Sequence, residues 1–247
     1  MPGRWRMRTV AKFAAGARRH ALSSLLAGLA LVGGCTYRGE IDNPLSQRIT
    51  WFSYLGGTDI ARACEPGADE RYRIIYNGRY EEQLRSYEVT RHGDAADLVV
   101  RVQEQANLAQ LSTDDLLAPW RWRKAVVALS PVELATLRQR LSDSGFLTGP
   151  PVGLVLHSKD FYWAASGCSN GKFYYYAWVH ARDQFRNVEF AEFLLAHDPT
   201  GVAINPPRPV SVADYSPAPP GNRHERRQPI HDHFDLEIGS QGLDGVP

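Results

Sequence analysis

The 247-residue sequence is 43% hydrophobic and 22% charged, with 28 basic and 27 acidic side chains. That composition excludes collagen-like, low-complexity and multi-span membrane proteins, and the near balance of charge gives no support for a nucleic-acid binder. The balance averages two unlike parts: residues 1–34 hold six basic residues (Arg4, Arg6, Arg8, Lys12, Arg18, Arg19) and no acidic one, which leaves 22 basic against 27 acidic, a net −5, on the remaining 213.

The chain opens with this basic stretch, followed by a largely apolar run from Ala21 to Val32 and then Gly33, Gly34 and Cys35. A run of 12 residues is too short to cross a hydrocarbon core that needs about 20, so residues 1–34 read as an export signal rather than a permanent span. The string Leu31-Val32-Gly33-Gly34-Cys35 resembles the lipobox of bacterial lipoproteins, in which an aliphatic residue and small residues precede a cysteine that becomes lipid-modified. The resemblance implies cleavage before Cys35 and acylation of its thiol and amine, giving a membrane anchor of several chains. In Gram-negative lipoproteins an Asp after the cysteine tends to retain the protein in the inner membrane. Thr36 stands there instead, which implies the outer membrane, facing the periplasm. The resemblance covers only the leader and one further residue and implies nothing about activity.

The compartment so implied is oxidising, and after acylation of Cys35 two thiols remain, Cys64 and Cys168. An even pair in an exported chain argues for one disulfide. The competing reading makes Cys168 a nucleophile in the tight Gly167–Gly171 turn, but no neighbouring cation is evident in sequence to lower its pKa.

Residues 35–45 are mostly polar and read as a short tether, with the folded body at 46–205. Ile49 to Leu55 is β-branched and aromatic and reads as a strand ended by Gly56-Gly57, after which Thr58 or Asp59 caps a short helix towards Cys64. Tyr72, Ile74 and Tyr76 alternate into Asn77-Gly78, a hairpin signal, with Tyr80 to Val89 as the partner strand. Leu98, Val100 and Val102 mark a third strand and Trp120 to Leu129 a fourth. Ser130, Pro131 and Glu133 then form an N-cap, a first-turn proline and a capping box, with Leu129 and Leu134 as a hydrophobic staple and Gly145 as terminator. Val152 to His157, Phe161 to Ala165 and Phe173 to Val179 read as further strands, and Asp183 to Ala196 contains a helix stopped by Asp198-Pro199. The expected fold is α+β: an antiparallel sheet of roughly five to seven strands with about two helices on one face. Residues 206–247, rich in Pro, Gly, Arg, Asp and His, read as a mobile tail, with Phe234 to Ile238 the sole apolar alternation.

Two constellations stand out for binding. Tyr162, Trp163, Tyr174, Tyr176 and Trp178 are candidates for a sugar-stacking surface, weighed against ordinary core packing. His224, His231 and His233 have ligand-like spacing for zinc or copper, weighed against solvated histidines in a tail. Asp59, Asp114, Asp115 and Asp160 share no string that implies one site, and His157-Ser158-Lys159-Asp160 has the letters of a hydrolase without alternate-residue geometry. There is no phosphate loop, metalloprotease helix or nucleophile elbow, and no cofactor is expected. The expectation is a non-catalytic outer-membrane lipoprotein, attached through Cys35, that binds an envelope protein or peptidoglycan or helps maintain the envelope. The alternative is an envelope hydrolase acting on cell-wall or glycan material.

Overall fold

The computed structural model describes residues 36–39, 41–106, 114, 116–182, 185–186, 188–211 and 233–245, all within one unit that begins at Thr36. The lipobox-like string, His224 and His231 lie outside them. The fold is α+β. Helix α1 (Pro44–Gly56) and helix α2 (Thr58–Ala63) precede strands β1 (Arg71–Gly78), β2 (Gln83–His92), β3 (Ala95–Glu104) and β4 (Arg123–Leu129). Helix α3 (Pro131–Asp143) follows, then β5 (Val155–His157), β6 (Phe161–Ser169), β7 (Lys172–Val179), helix α4 (Phe190–Ala196), β8 (Asp235–Gly239) and β9 (Gly242–Leu243).

Six strands form one antiparallel sheet in the order β4-β3-β2-β1-β6-β7, and a smaller sheet runs β5-β8-β9. The β6–β7 connection is a two-residue turn, Asn170-Gly171, with both residues at positive φ and Ser169 facing Lys172. The β1–β2 connection is longer than a two-residue hairpin at Asn77-Gly78: both of those residues pair with β6, and Arg79 to Glu82 make the turn.

Helices cover both faces of the large sheet rather than one. On the first face, Leu134, Leu137 and Leu141 of α3 and Phe190 and Leu194 of α4 pack on Ile74, Tyr87, Leu98, Trp163 and Trp178. On the second, Trp51, Tyr54 and Leu55 of α1, with Leu156 and Ile238 of the small sheet, pack on Ile75, Tyr162, Ala164, Tyr175 and Ala177. Two covered faces account for central strands that are buried at nearly every position instead of alternately, most clearly Phe161 to Cys168.

Helix α3 has every expected feature. The Ser130 side chain accepts from the Glu133 amide, Glu133 reaches back to the Ser130 amide at 2.8 Å, and Gly145 stands at φ 88° beyond the last turn. Residues 49–55 are the clearest departure, since they belong to α1 and not to a strand. Asn43 caps that helix through bonds from the Leu45 and Ser46 amides and Pro44 occupies its first position, while Trp51, Tyr54 and Leu55 fall at helical spacing on the buried side. Gly57, in left-handed conformation, ends α1 and starts α2, and a Cβ there would overlap the Ser166 side chain.

The described parts of both ends expected to lie outside the body are packed on it. Tyr37 and Ile41 are buried in the second core, so the described part of the expected tether is held on the body at these two residues. After α4, Val202, Ile204 and Val210 pack on the first core, and Arg208 bonds Glu82 and lies over the Phe161 ring. Residues 233–245 include the central strand of the small sheet, so this part of the segment expected to be a mobile tail is folded.

Candidate functional site

Among the described residues, three of the places that gather polar side chains bear on function. The first lies between the large sheet and helices α1 and α2. Arg73, on β1, is fully buried; its Nε donates to Glu88 at 2.9 Å, its Nη1 and Nη2 to Asp59 at 2.7 and 2.9 Å, and its Nη1 also to the Tyr54 carbonyl at 3.0 Å. Its guanidinium lies over the rings of Tyr54 and Tyr37. Arg101 on β3 donates to Asp42 at 2.5 Å, which also holds Lys124 at 2.8 Å, and its Nη1 approaches Glu88 at 3.7 Å. Burial alone would push the Glu88 carboxyl up, but Arg73 and Arg101 beside it prevail and hold it down at about 2. Burial, with Glu88 nearby, pushes the Tyr37 phenol up to about 12. Glu88 is thus held charged and Tyr37 protonated near neutral pH, which suits a structural network and leaves neither of the two poised to exchange a proton there.

The second is a cleft of about 600 Å³ between the small sheet and the ends of β6 and β7. His157, Lys159, Asp160, Arg182, His233 and Asp235 line it. Strand β5 stops at His157 and a turn follows, so the alternation that separates His157 from Lys159 and Asp160 on a strand does not apply. The turn is held by Asn77, whose Nδ2 donates to the Ser158 and Asp160 carbonyls at 3.1 and 2.6 Å. Several cleft charges are already paired: His157 with Asp235, and Lys159 with Glu81 at 2.9 Å. His233, the one expected metal ligand among the described residues, stands 3.8 Å from Glu81. Among the described residues no three His, Cys, Asp or Glu side chains are grouped as a metal would require.

The third is a shallow depression at the start of α1, lined in part by Pro44, Gln47, Arg48, Gln103 and Trp120. Gln47 donates to Gln103 at 2.6 Å, and Gln103 in turn to the Trp120 carbonyl at 2.8 Å. This fixes the Trp120 loop against the helix.

The proposed aromatic platform does not form. Tyr162, Trp163 and Trp178 are buried in the two cores, and their rings have no open face for a sugar. Tyr174 and Tyr176 are half-buried against the first core; the Tyr176 ring packs on Trp178 with centroids 4.8 Å apart and planes tilted by 44°, and Tyr174 carries Lys172 over its ring. Because both faces of the sheet are covered, neither side of β7 presents a row of rings. Cys64 and Cys168 form a disulfide with a Cα separation of 5.5 Å, which ties the end of α2 to β6 and removes Cys168 as a nucleophile. Of the other carboxylates, Asp59 is spent on Arg73, Asp160 is buried at the cleft and Asp114 is exposed. Cys35 and Asp115 lie outside the described residues.

No protein-family model matches this chain, and no curated protein or solved structure matches it either.

Proposed function

We propose that this chain is a lipid-anchored envelope protein, held at the periplasmic face of the outer membrane through Cys35, whose body is a non-catalytic binding or envelope-maintenance module. The observation that carries the reading is the lipobox-like string Leu31 to Cys35 after a basic, then apolar, leader. A disulfide linking positions 104 residues apart agrees with an oxidising compartment. Among the described residues, the carboxyls with clearly displaced acidity, Glu88, Asp42, Glu82 and Glu133, are held low by cations or capping bonds, the opposite of a general acid kept protonated near neutrality. The partner is an envelope protein or peptidoglycan rather than nucleic acid, because the chain after the leader is net acidic.

Labelling with a tagged fatty acid in a bacterial host, followed by mass analysis of the N-terminal peptide, tests the anchor. Acyl chains on Cys35 and release of Cys35→Ser into the soluble fraction are expected. An unmodified Cys35 in the exported protein overturns it.

The alternative, an envelope hydrolase, draws on the cleft that brings His157, Asp160 and Asp235 together. Release of soluble fragments from purified peptidoglycan, abolished by Asp160→Asn in a variant that still folds, would establish it; no release would leave the non-catalytic reading standing.

A further inference from the structure

We propose that the outward face of α1 docks on the bilayer surface, so that the body lies against the membrane instead of swinging from its anchor; this rests on the anchored reading above. Leu45 and Ile49, four residues apart on α1, are 61% and 60% exposed, with Arg48 between them. Trp120, 39% exposed, stands at the depression that the first turns of α1 line. Leucine and isoleucine flanked by an arginine and a tryptophan are the side chains that settle at the boundary between headgroups and acyl chains. Helix α1 contains no acidic residue, and the nearby carboxylate of Asp42 is paired with Arg101 and Lys124. Glu81 and Glu104, which line the same depression, stand 2.9 Å from Lys159 and 3.9 Å from Arg123, so each carboxylate beside this face has a cation next to it on approach to an anionic surface.

Chain connectivity identifies the bilayer as the occupant of this face. Tyr37 is buried at the far end of α1, its amide donating to Ser53 Oγ at 3.1 Å, and Thr36 alone separates it from Cys35. At roughly 3.5 Å per residue, the acylated cysteine stands no more than about 7 Å from Tyr37. Ser53 lies four residues beyond Ile49 and eight beyond Leu45, about 6 and 12 Å along the axis of α1, so the point that holds Tyr37 is displaced from the apolar stripe. One attachment point allows the body to swivel; a second, one to two helical turns away, restricts that motion.

The full chain, produced in a bacterial host and reconstituted into phosphatidylethanolamine–phosphatidylglycerol vesicles with brominated acyl chains, supplies its own probe. Trp51, Trp122, Trp163 and Trp178 are buried, so Trp120 is the body tryptophan that lipid-borne bromine can reach. Expected is quenching of emission that disappears in Trp120→Phe and in Leu45→Asp/Ile49→Asp, while flotation with vesicles and circular dichroism stay unchanged. A chain that is acylated, floats and shows no Trp120 quenching overturns the docking alone. Quenching without acylation overturns the anchor and supports the docking, whereas a chain that neither carries acyl groups nor floats overturns both. A dimer in sedimentation without lipid, dissolved by Leu45→Asp/Ile49→Asp, overturns the docking in favour of a second copy.

Discussion

Tyr37 packs edge-on against Tyr54, with ring centroids 4.8 Å apart and planes at 75°. The contact places the second residue after Cys35 in the middle of a core, over the guanidinium of Arg73. Tyr37→Ala removes a buried ring and uncovers that cation, and the expected cost is about 3 kcal/mol in chemical denaturation. A loss below about 0.5 kcal/mol would return residues 36–43 to the status of a tether.

Glu88 is the shared acceptor of the buried network, facing Arg73 and Arg101. Its folded-state pKa is lowered from 4.5 to about 2, so the stability it contributes is fully present above pH 4.5 and is lost as pH falls from there to about 2. The size is on the order of 3 kcal/mol. Glu88→Gln should flatten the acid limb of the stability curve and cost on the order of 3 kcal/mol at neutral pH, because Arg73 and Arg101 lose one carboxylate each while keeping Asp59 and Asp42. Parallel acid limbs for the two proteins would count against Glu88 as the titrating group.

How much of this was legible follows from how local each signal is. Helix α3 carries its cap, capping box, staple and terminal glycine within 17 residues, and all of them appear as expected. Helix α1 was hidden by residues 49–55, whose β-branched and aromatic character favours a strand when the helical spacing of Trp51, Tyr54 and Leu55 is ignored. Asn43-Pro44 just upstream was the available sign of a helix start. The second covered face was also readable, since Phe161 to Ala165 has no polar position to turn to water. The cleft was not readable: it joins His157 to Asp235, 78 residues away, through pairing of β5 with a strand in the segment expected to be a tail. The buried network likewise depends on strand register, which sets Arg73 opposite Glu88 and no local pattern reports.

The disulfide joins Cys64, at the end of α2, to Cys168 on β6. Replacing both residues by serine should cost about 2 to 4 kcal/mol, with the larger effect on the α1–α2 side that the bond secures. Thiol titration of the unreduced exported protein is expected to find neither Cys64 nor Cys168 free; two titratable thiols would reject the bond.

The C-terminal strand should be indispensable to the second core. Ile238 is fully buried, its amide donates to the Leu154 carbonyl at 2.9 Å, and its carbonyl accepts from Gly153 at 2.8 Å. The Phe234 ring, just before β8, sits 5.1 Å from Phe52 and 5.2 Å from Tyr80, so the segment that pairs with β5 is also fastened to α1. Ile238→Ala is expected to cost about 3 kcal/mol, while a chain ending at position 232 loses the whole strand and uncovers Leu156 and Tyr175. That truncated chain should therefore be less stable than the point variant and bind a hydrophobic dye that the full chain does not. For the same reason, His233→Ala in the full chain is the test of metal binding by the histidines, since truncation removes a candidate ligand and a structural strand together. Equal denaturation midpoints for the truncated and full chains would show that β8 contributes nothing to the fold.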